Sequence, residues 1–323
     1  MVPGLPAELR GHIAGGKKMV RSISINIGIN QVDPSHYRGF RDLYTSENTA
    51  RAMFDIADSL HYDEKRLIQG PQATSAAIID AIKRAKTELE PNGILLLTYS
   101  GHGSHIADNG FDEPDSYHET WVLYDRQLLD CELHMLLREF DSRTRVFVLS
   151  DSCYSGTVIS GIDRNERVRI NLLESLFIRF GSFRIDRERY MLRETLLNRE
   201  PPIEKIPPYP SILSTYYENR DIYDEIQAQC HSAGGTSIQA SAILISACQD
   251  NQRAIEGTTH GRFTEILLEV WANGSFPAEK GYREFHSEIA QKSPLTQTPN
   301  ILPLGPPNPG FMNQRPFTIA PPA

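Results

Sequence analysis

The sequence predicts an α/β protein with a mostly parallel central sheet flanked by helices on both faces. Between residues 22 and 153, apolar runs of strand length alternate with segments whose apolar residues recur at helical spacing, in the order β-α-β-α-β-loop-α-β. Two of the runs, GILLLTYS and RVFVLSD, are apolar over most of their length, which is typical of strands covered on both faces. We therefore expect helices on either side of one sheet.

Each predicted element has its own local signal. The first strand is SISINIGI, and the helix SENTARAMFDIADSLH follows it with Ser46 as a candidate N-cap. The strand KRLIQG ends at a Gly-Pro pair, and Thr74 is a candidate cap for the helix TSAAIIDAIKRAKTELE. The strand GILLLTYSGHG, a loop, the helix CELHMLLREF and the strand VFVLSDSC complete this half of the chain.

Beyond Gly156 the alternation is interrupted. Residues 160–235 are less periodic and contain the Pro-rich stretch REPPIEKIPPYP, so they are predicted to be an insertion within one domain. The later elements are the strand SAILISACQ, the helices GRFTEILLEVWANG and GYREFHSEIAQKS, and the strand TPNILPLG. We expect an N-terminal extension at 1–20, one domain at 21–305 and a Pro-rich tail at 306–323.

The composition is that of an ordinary globular protein, with 40% hydrophobic and 23% charged residues. A net charge of −8 argues against general nucleic-acid binding, which needs a basic face, and against binding to anionic membranes. We find no signal-peptide pattern and no run of about 18 apolar residues, so we expect a cytoplasmic protein. The four cysteines form no CxxC pair, so we expect free thiols and no zinc site.

Two predicted strand ends carry candidate catalytic residues. Parallel strands present their carboxyl ends at one edge of the sheet, so the turns SGHG and DSC can meet in space. His102, between Gly101 and Gly103, could take the proton of a thiol, and Cys153 could attack a carbonyl as the thiolate. A buried structural thiol is the simpler interpretation of a cysteine at a strand end. The two turns together, with Cys153 lying 51 residues after His102, favour a catalytic pair.

The remaining thiols and the nearby histidine are weaker candidates. Cys248 lies within a predicted buried strand and is expected to be structural. Cys131 and Cys230 have no histidine in a comparable strand-end setting, and His105 is expected to be a loop histidine rather than the base.

Five motifs resemble those of bacterial metacaspases (orthocaspases), which are caspase-like cysteine peptidases. They are YSGHGS, DEPDSYHETWVLYDRQLLD, VLSDSCYSGT, ILISACQDNQRAIEG and QTPN, and the resemblance covers about residues 22–305 apart from the insertion. It implies a caspase-hemoglobinase fold and hydrolysis of peptide bonds through an acyl-enzyme, with His102 and Cys153 as the dyad. It also implies an oxyanion hole made by the backbone N–H groups of Gly103 and Cys153.

The resemblance further implies a pocket for Arg or Lys at the residue before the scissile bond. Asp151 matches the acidic residue of that pocket, and Ser100 is expected to bind the substrate beside it. The alternative role for Asp151 is to cap local backbone N–H groups. Arginine would suit the pocket better than lysine if both carboxylate oxygens can accept its hydrogen bonds. The second acid of the family aligns with Thr49, so Asp250 is the best substitute.

Other side chains keep alternatives open at this pocket. Asp42 and Glu47 could also supply the missing carboxylate. Cleavage after aspartate would need arginines in the pocket, and Arg38 and Arg41 are near this region in sequence.

Many metacaspases need calcium, which binds an acidic cluster after the catalytic histidine, because hard cations prefer several oxygen ligands. Here His118 and Cys131 stand where the family commonly has aspartates, next to a retained Asp130. Further acids, which a solvated surface loop would also explain, are Asp108, Asp112, Glu113 and Asp115. We expect no cofactor, with a calcium site as the alternative, and little effect of calcium on activity.

Two functions are therefore compared. The first is a cysteine endopeptidase acting on proteins or peptides after Arg or Lys, activated by cleavage in the insertion, by itself or by an upstream protease. Exposed loops are cut preferentially, and nine arginines lie between Asp163 and Glu200, although they could simply pair with seven neighbouring acids. The second is a caspase-fold regulator that binds peptides or proteins without cutting them, which the missing acids slightly favour.

Overall fold

The computed structural model describes residues 19–109, 117–153, 202–234, 237–249 and 252–322. Before residue 154 the elements are β1 (Val20–Gly28), α1 (Ser46–Ser59), β2 (Glu64–Gln69), α2 (Ser75–Glu88), β3 (Leu89–Ser100), β4 (Gly103–Ala107), β5 (Tyr117–Val122), β6 (Gln127–Leu129), α3 (Asp130–Leu137) and β7 (Arg145–Asp151). After residue 201 they are α4 (Tyr209–Glu218), α5 (Arg220–Ser232), β8 (Ser241–Ser246), α6 (Arg262–Trp271), α7 (Tyr282–Lys292), β9 (Asn300–Leu304) and α8 (Pro309–Asn313).

Six strands form the central sheet in the order β2-β1-β3-β7-β8-β9. Every neighbouring pair is parallel except β8 and β9, so the sheet is mostly parallel, as predicted. The pairing of β3 with β7 matters most for function, because its register sets Ser100 opposite Asp151. The turns that follow these two residues therefore start side by side at one edge of the sheet.

Both faces of the sheet are covered, which explains the nearly continuous apolar runs. Along β3, Leu95 and Leu97 belong to a buried cluster that includes residues of α2 and α3. Ile94 and Leu96 point to the other face and belong to a cluster with residues of α1, α6 and α7. Alternate side chains of one strand thus pack into two separate cores, because successive residues of a β-strand point to opposite faces of the sheet.

The predicted loop after β3 contains a second sheet, in which β4, β5 and β6 pair antiparallel. Sequence periodicity misses it because several inward side chains are polar. His118, Glu119, Thr120 and Gln127 are all buried here, so these strands lack the alternation of apolar and polar residues that identifies a half-buried strand.

The start of α1 also differs from the prediction that Ser46 is its N-cap. Ser46 is the first helical residue and Thr45 occupies the cap position, without a side-chain capping bond. The side chain of Asn30 accepts hydrogen bonds from the backbone N–H groups of Ser46 and Glu47 instead, at 2.9 and 3.3 Å. A residue from the loop after β1 therefore satisfies these helix donors, which local sequence patterns cannot indicate.

The residues after β9 pack against the body of the domain. Phe311 and Phe317 are buried in the same core cluster as residues of α6 and α7. The guanidinium of Arg145, at the start of β7, donates hydrogen bonds to the carbonyls of Thr318 and Ala320 at 3.1 and 3.0 Å. The C-terminal stretch up to residue 322 thus contributes to the core.

The expectation of four free thiols is wrong for one pair. Cys131 and Cys230 form a disulfide between α3 and α5, with Cα atoms 5.8 Å apart, whereas Cys153 and Cys248 are free and buried. The two paired residues are 99 positions apart in sequence, so only the packing of α5 on α3 brings them together. The disulfide also weakens the argument for a reducing compartment. Among the helices described, none has the length and apolar character needed to cross a membrane.

Candidate active site

The turns that carry His102 and Cys153 lie against each other. A Cβ atom on Gly103 would be 1.7 Å from the carbonyl oxygen of Cys153 and 3.1 Å from its backbone nitrogen. Only glycine can therefore follow His102 without displacing the Cys153 backbone. Cys153 is fully buried and His102 is 3% exposed, so the two candidate residues share a desolvated edge of the sheet.

The imidazole of His102 is oriented by a main-chain carbonyl. Its Nε2 lies 2.7 Å from the carbonyl oxygen of Arg41, which can only accept a hydrogen bond, so Nε2 carries the proton. Its Nδ1 is buried and has no hydrogen-bond partner among the residues described. In the neutral ring the lone pair is therefore on Nδ1, which is the nitrogen available as a general base. Arg41, considered above for its charge, contributes here through its backbone.

Burial lowers the pKa of His102 below its ordinary value, because a desolvated site disfavours the charged imidazolium. The backbone carbonyls of Arg41 and Lys205 oppose this effect by favouring the protonated ring. The net result is a neutral imidazole near neutral pH, which is the form that can accept a proton.

The lowered pKa of His102 predicts how the stability of the intact chain depends on pH. Its pKa is below the unfolded value of 6.5, so between these two values the unfolded chain binds more protons than the folded chain. The free energy of unfolding should therefore decrease as the pH falls below 6.5 and level off above it. Burial lowers the pKa of His36, His105, His134 and His286 as well, with the same sign.

Urea unfolding of the Cys153→Ala chain, from roughly pH 5 to pH 8, measures this dependence. His102→Gln in the same background should make the slope below pH 6.5 shallower. Stability that stays constant or increases toward pH 5 would contradict the assignment of a buried neutral His102.

The sulfur of Cys153 has a backbone donor. Sγ accepts a hydrogen bond from the N–H of Ala254 at 3.1 Å, and it also lies 3.6 Å from the Ala254 carbonyl, which can accept from the thiol. The thiolate rather than the thiol is the nucleophile in such chemistry. The other free cysteine, Cys248, faces the backbone carbonyls of Ser152 and Gln252 at 3.7 and 3.8 Å. Both sulfurs therefore face backbone carbonyls, and the catalytic candidate is distinguished by its position beside Gly103 at the His102 turn.

A short segment of the insertion pairs with residues 254–256, which lie beside Cys153. The backbone N–H of Lys205 donates to the carbonyl of Ala254 at 2.8 Å, and the carbonyl of Ile203 accepts from Glu256 at 2.9 Å. Residues 203–205 are thus antiparallel to residues 254–256. Addition of an extended peptide to an exposed edge is a common way for proteins to bind peptide ligands.

The carbonyl of Lys205 lies at the predicted oxyanion hole. Its oxygen accepts a hydrogen bond from the backbone N–H of Gly103 at 3.0 Å. The same Gly103 approaches the backbone of Cys153, so the Lys205 carbonyl is held beside the candidate nucleophile. A peptide carbonyl on this donor, in a segment paired to the edge of the site, has the arrangement expected for a substrate.

The side chain of Lys205 fills a buried pocket with 0% exposure. Its Nζ lies 2.9 Å from Oδ1 of Asp151, 3.1 Å from the Asp151 carbonyl and 3.0 Å from the Ser100 hydroxyl. The second carboxylate oxygen of Asp151 accepts a hydrogen bond from the Thr264 hydroxyl at 2.6 Å. A Cβ on Gly261 would be 2.4 Å from Nζ, so glycine is needed at this wall of the pocket.

Of the other residues considered for the pocket, Thr49 has a structural role. Its hydroxyl accepts a hydrogen bond from the N–H of Gly261 at 2.9 Å, so it positions the pocket wall and adds no negative charge to the pocket. Asp42 bonds to Gln31, and Arg38 forms an ion pair with Glu218. Asp250 lies outside the described residues.

The sequence did not identify Lys205, Thr264 and Gly261 as residues of this pocket. The one available signal was a single lysine within a Pro-rich stretch, EKIPP, in a segment already expected to be cut.

Comparison with known proteins identifies the family. The family model for the caspase domain matches residues 27–304. The chain belongs to the caspase-domain family. The predicted caspase-like fold and the metacaspase resemblance are confirmed at this level, and the family is one of cysteine peptidases.

Two metacaspases and one solved structure illustrate the relationship of this caspase domain to others. Metacaspase-1 of Schizosaccharomyces pombe is 34% identical over 88 residues, which are 26% of this chain and 21% of that protein. Metacaspase-1B of Aspergillus fumigatus is 31% identical over 150 residues, 43% of this chain and 36% of that protein. The matches thus span well under half of either relative. A crystal structure of a protein from Geobacter sulfurreducens has a TM-score of 0.73 and 36% identity, covering 92% of this chain and 98% of that chain.

Proposed function

We propose that this caspase-domain protein is a cysteine endopeptidase that cleaves after basic residues, with Cys153 as nucleophile and His102 as general base. Its first substrate is its own Lys205–Ile206 bond, which makes the intact chain a zymogen. The position of Lys205 supports both statements: its carbonyl is bound by Gly103, and its ammonium group is paired with Asp151. Later substrates would be proteins or peptides that replace this segment.

The proposed reaction is acyl transfer to Cys153 followed by hydrolysis. Nδ1 of His102 takes the thiol proton, and Sγ of Cys153 attacks the Lys205 carbonyl carbon, while the electron pair of the C=O bond moves to oxygen. The N–H groups of Gly103 and Cys153 stabilise that oxyanion. The C–N bond to Ile206 then breaks, and the imidazolium gives its proton to the leaving amine. Water, deprotonated by Nδ1, hydrolyses the thioester and restores the thiol.

The pocket favours lysine over arginine. Nζ donates hydrogen bonds to the Ser100 hydroxyl and the Asp151 carbonyl and forms an ion pair with Oδ1 of Asp151, so its compact charge has three oxygen neighbours. A guanidinium would need both carboxylate oxygens for a bidentate contact, and at Oδ2 it would compete with the hydrogen bond from the Thr264 hydroxyl. We therefore propose Lys as the preferred residue and Arg as a slower substrate.

Replacing Lys205 should prevent cleavage at its own bond. Lys205→Gln removes the charge that pairs with Asp151, so we expect the rate of self-cleavage to fall by about 100-fold or more, whereas Lys205→Arg should still be cut. Mass spectrometry should find fragments ending at Lys205 and starting at Ile206 in the active chain and not in Cys153→Ala. The two fragments should stay associated, because β7 and β8 pair within one sheet.

Lys292→Gln is the matched control, since this half-exposed lysine pairs with Glu269 on the surface of the domain and should leave cleavage unchanged. Cleavage at position 205 that proceeds at the normal rate in Lys205→Gln would contradict the proposed site. The arginines between residues 163 and 200 lie outside the described residues, and the same mass spectra would report any cut there, by this chain or by an upstream protease.

The alternative, a regulator that binds without cutting, makes a different prediction. Cys153 would then not react with a peptidyl chloromethyl ketone ending in lysine, and the wild-type chain would stay whole even at high protein concentration. Labelling of Cys153 by that probe would support the peptidase.

A further inference from the structure

A second group of side chains lies outside the proposed active site, between β5, α3, α5 and the end of β4. The ligand atoms of Asp108, His118 and His231 all lie within 4.8 Å of one another. Nε2 of His118 is 3.8 Å and Nε2 of His231 is 3.5 Å from Oδ1 of Asp108. Two imidazoles and a carboxylate thus converge from three separate elements.

We propose that Asp108, His118 and His231 bind a divalent transition-metal ion of the zinc class. In a tetrahedral site with bond lengths of about 2.0–2.1 Å, neighbouring ligand atoms are about 3.3 Å apart. The separations of 3.5 and 3.8 Å from Asp108 need to contract by only a few tenths of an ångström, whereas the two imidazole ligand atoms, which lie within 4.8 Å of each other, must approach by up to about 1.5 Å. Three protein ligands leave the fourth tetrahedral position for a water molecule.

Asp130 prepares His118 for this role. Its Oδ1 lies 2.6 Å from Nδ1 of His118, and Asp130 is 5% exposed. An ionised carboxylate at this position fixes the proton on Nδ1 and directs the Nε2 lone pair toward Asp108. This is the carboxylate–histidine arrangement that orients imidazole ligands and increases their basicity in many metal sites.

The donor set does not suit calcium, which the family resemblance implied as an alternative. Calcium takes six to eight oxygen ligands, whereas two of the three groups here are imidazoles, which suit zinc and its neighbours. Cys131, at the position where the family commonly has an aspartate, is held in the disulfide with Cys230. The cysteine spacing led us to expect no zinc site, but these ligands are histidines and an aspartate from separate elements.

The disulfide organises the site before any metal binds. Cys131 directly follows Asp130, and Cys230 directly precedes His231. The bond between them therefore holds the last turn of α5 beside the Asp130–His118 pair. Much of the entropy needed to bring His231 to the other ligands is already lost in the folded, oxidised chain, which favours metal binding.

A metal-free explanation exists and must be separated from the proposal. A protonated His118 between the carboxylates of Asp108 and Asp130 would give a similar geometry without a cation. A site of that kind, held together by ion pairs alone, would not bind metal ions saturably.

The experiment uses the full-length Cys153→Ala chain, oxidised, treated with chelator and dialysed without reductant. The substitution removes the thiol of the proposed dyad, so zinc cannot bind between that thiol and His102. Calorimetry with Zn²⁺ should give one equivalent, and Co²⁺ should give the intense visible absorption of a tetrahedral complex. His231→Ala and Asp108→Asn should weaken binding by at least about 100-fold, and Asp130→Asn by about 10- to 100-fold.

His61→Asn is the matched control, because His61 is an exposed histidine with φ 58°, a conformation that asparagine tolerates. His118 is buried, so the exposed His231 is the safer variant if a ligand substitution unfolds the chain. Far-ultraviolet circular dichroism of each variant checks that it is folded. No saturable binding of Zn²⁺ or Co²⁺, equal affinity in His231→Ala and Asp108→Asn, or displacement of Zn²⁺ by equimolar Ca²⁺ would overturn the proposal.

Discussion

Cys153→Ala is expected to lower kcat/KM for a peptide ending in lysine by about 10⁴-fold or more. Without the nucleophile no acyl-enzyme can form, and the other catalytic groups, which act together with it, cannot compensate. The folded state should persist, because the loss of one sulfur leaves a single buried N–H, that of Ala254, without its acceptor and costs only about 1–3 kcal/mol. Hydrolysis of a fluorogenic peptide with lysine before the leaving group measures the loss. His102→Gln should have a comparable effect, because Nδ1 then no longer accepts the thiol proton.

Cys248→Ala provides the matched control for Cys153→Ala, because both thiols are buried and free. Its sulfur faces the carbonyls of Ser152 and Gln252, away from the proposed dyad, so its loss should leave turnover close to that of the wild-type protein. If Cys248→Ala lost activity to the same extent while remaining folded, or if Cys153→Ala kept turnover, the assignment of the nucleophile would be wrong.

Asp151→Asn is expected to reduce kcat/KM for lysine substrates by about 10²- to 10³-fold, because the ammonium group would lose its charged partner in a buried pocket. Asparagine has nearly the same shape as aspartate, so the turn that carries Cys153 should be preserved. In protein first cut at Lys205 by added wild-type enzyme, so that slow self-cleavage does not leave the pocket filled, activity toward an uncharged peptide, with norleucine in place of lysine, should change little. Equal losses on both peptides would show that Asp151 shapes the nucleophile turn instead.

Thr264→Val sharpens the same test. The variant frees Oδ2 of Asp151, which now accepts the Thr264 hydroxyl at 2.6 Å. With both oxygens available, an arginine substrate could make a bidentate contact, so the ratio of arginine to lysine turnover should increase. An unchanged ratio would contradict the explanation for the preference for lysine. Ser100→Ala should lower lysine turnover less than Asp151→Asn, because it removes a neutral acceptor.

The order of strands and helices could be predicted from sequence because it depends on local periodicity. The runs ending at Ser100 and Asp151 are long and apolar, and the turns after them contain the residue types of thiol catalysis. Parallel strands end at one edge, so the sequence alone supports the hypothesis that His102 and Cys153 meet there. The strands β4, β5 and β6 were missed because their buried positions hold polar residues such as His118 and Gln127.

The fold class, the two strand-end turns and the acidic residue beside them can be predicted from the amino-acid sequence. The folded chain was needed to show that Lys205 fills the pocket, that Thr264 donates to one oxygen of Asp151, and that Cys131 and Cys230 are joined. These contacts connect residues 54, 113 and 99 positions apart. Local periodicity reports which way a side chain faces along its own strand or helix. It carries no information about which distant segment packs against that face, because that choice depends on how the whole chain buries its apolar surface and satisfies its buried charges.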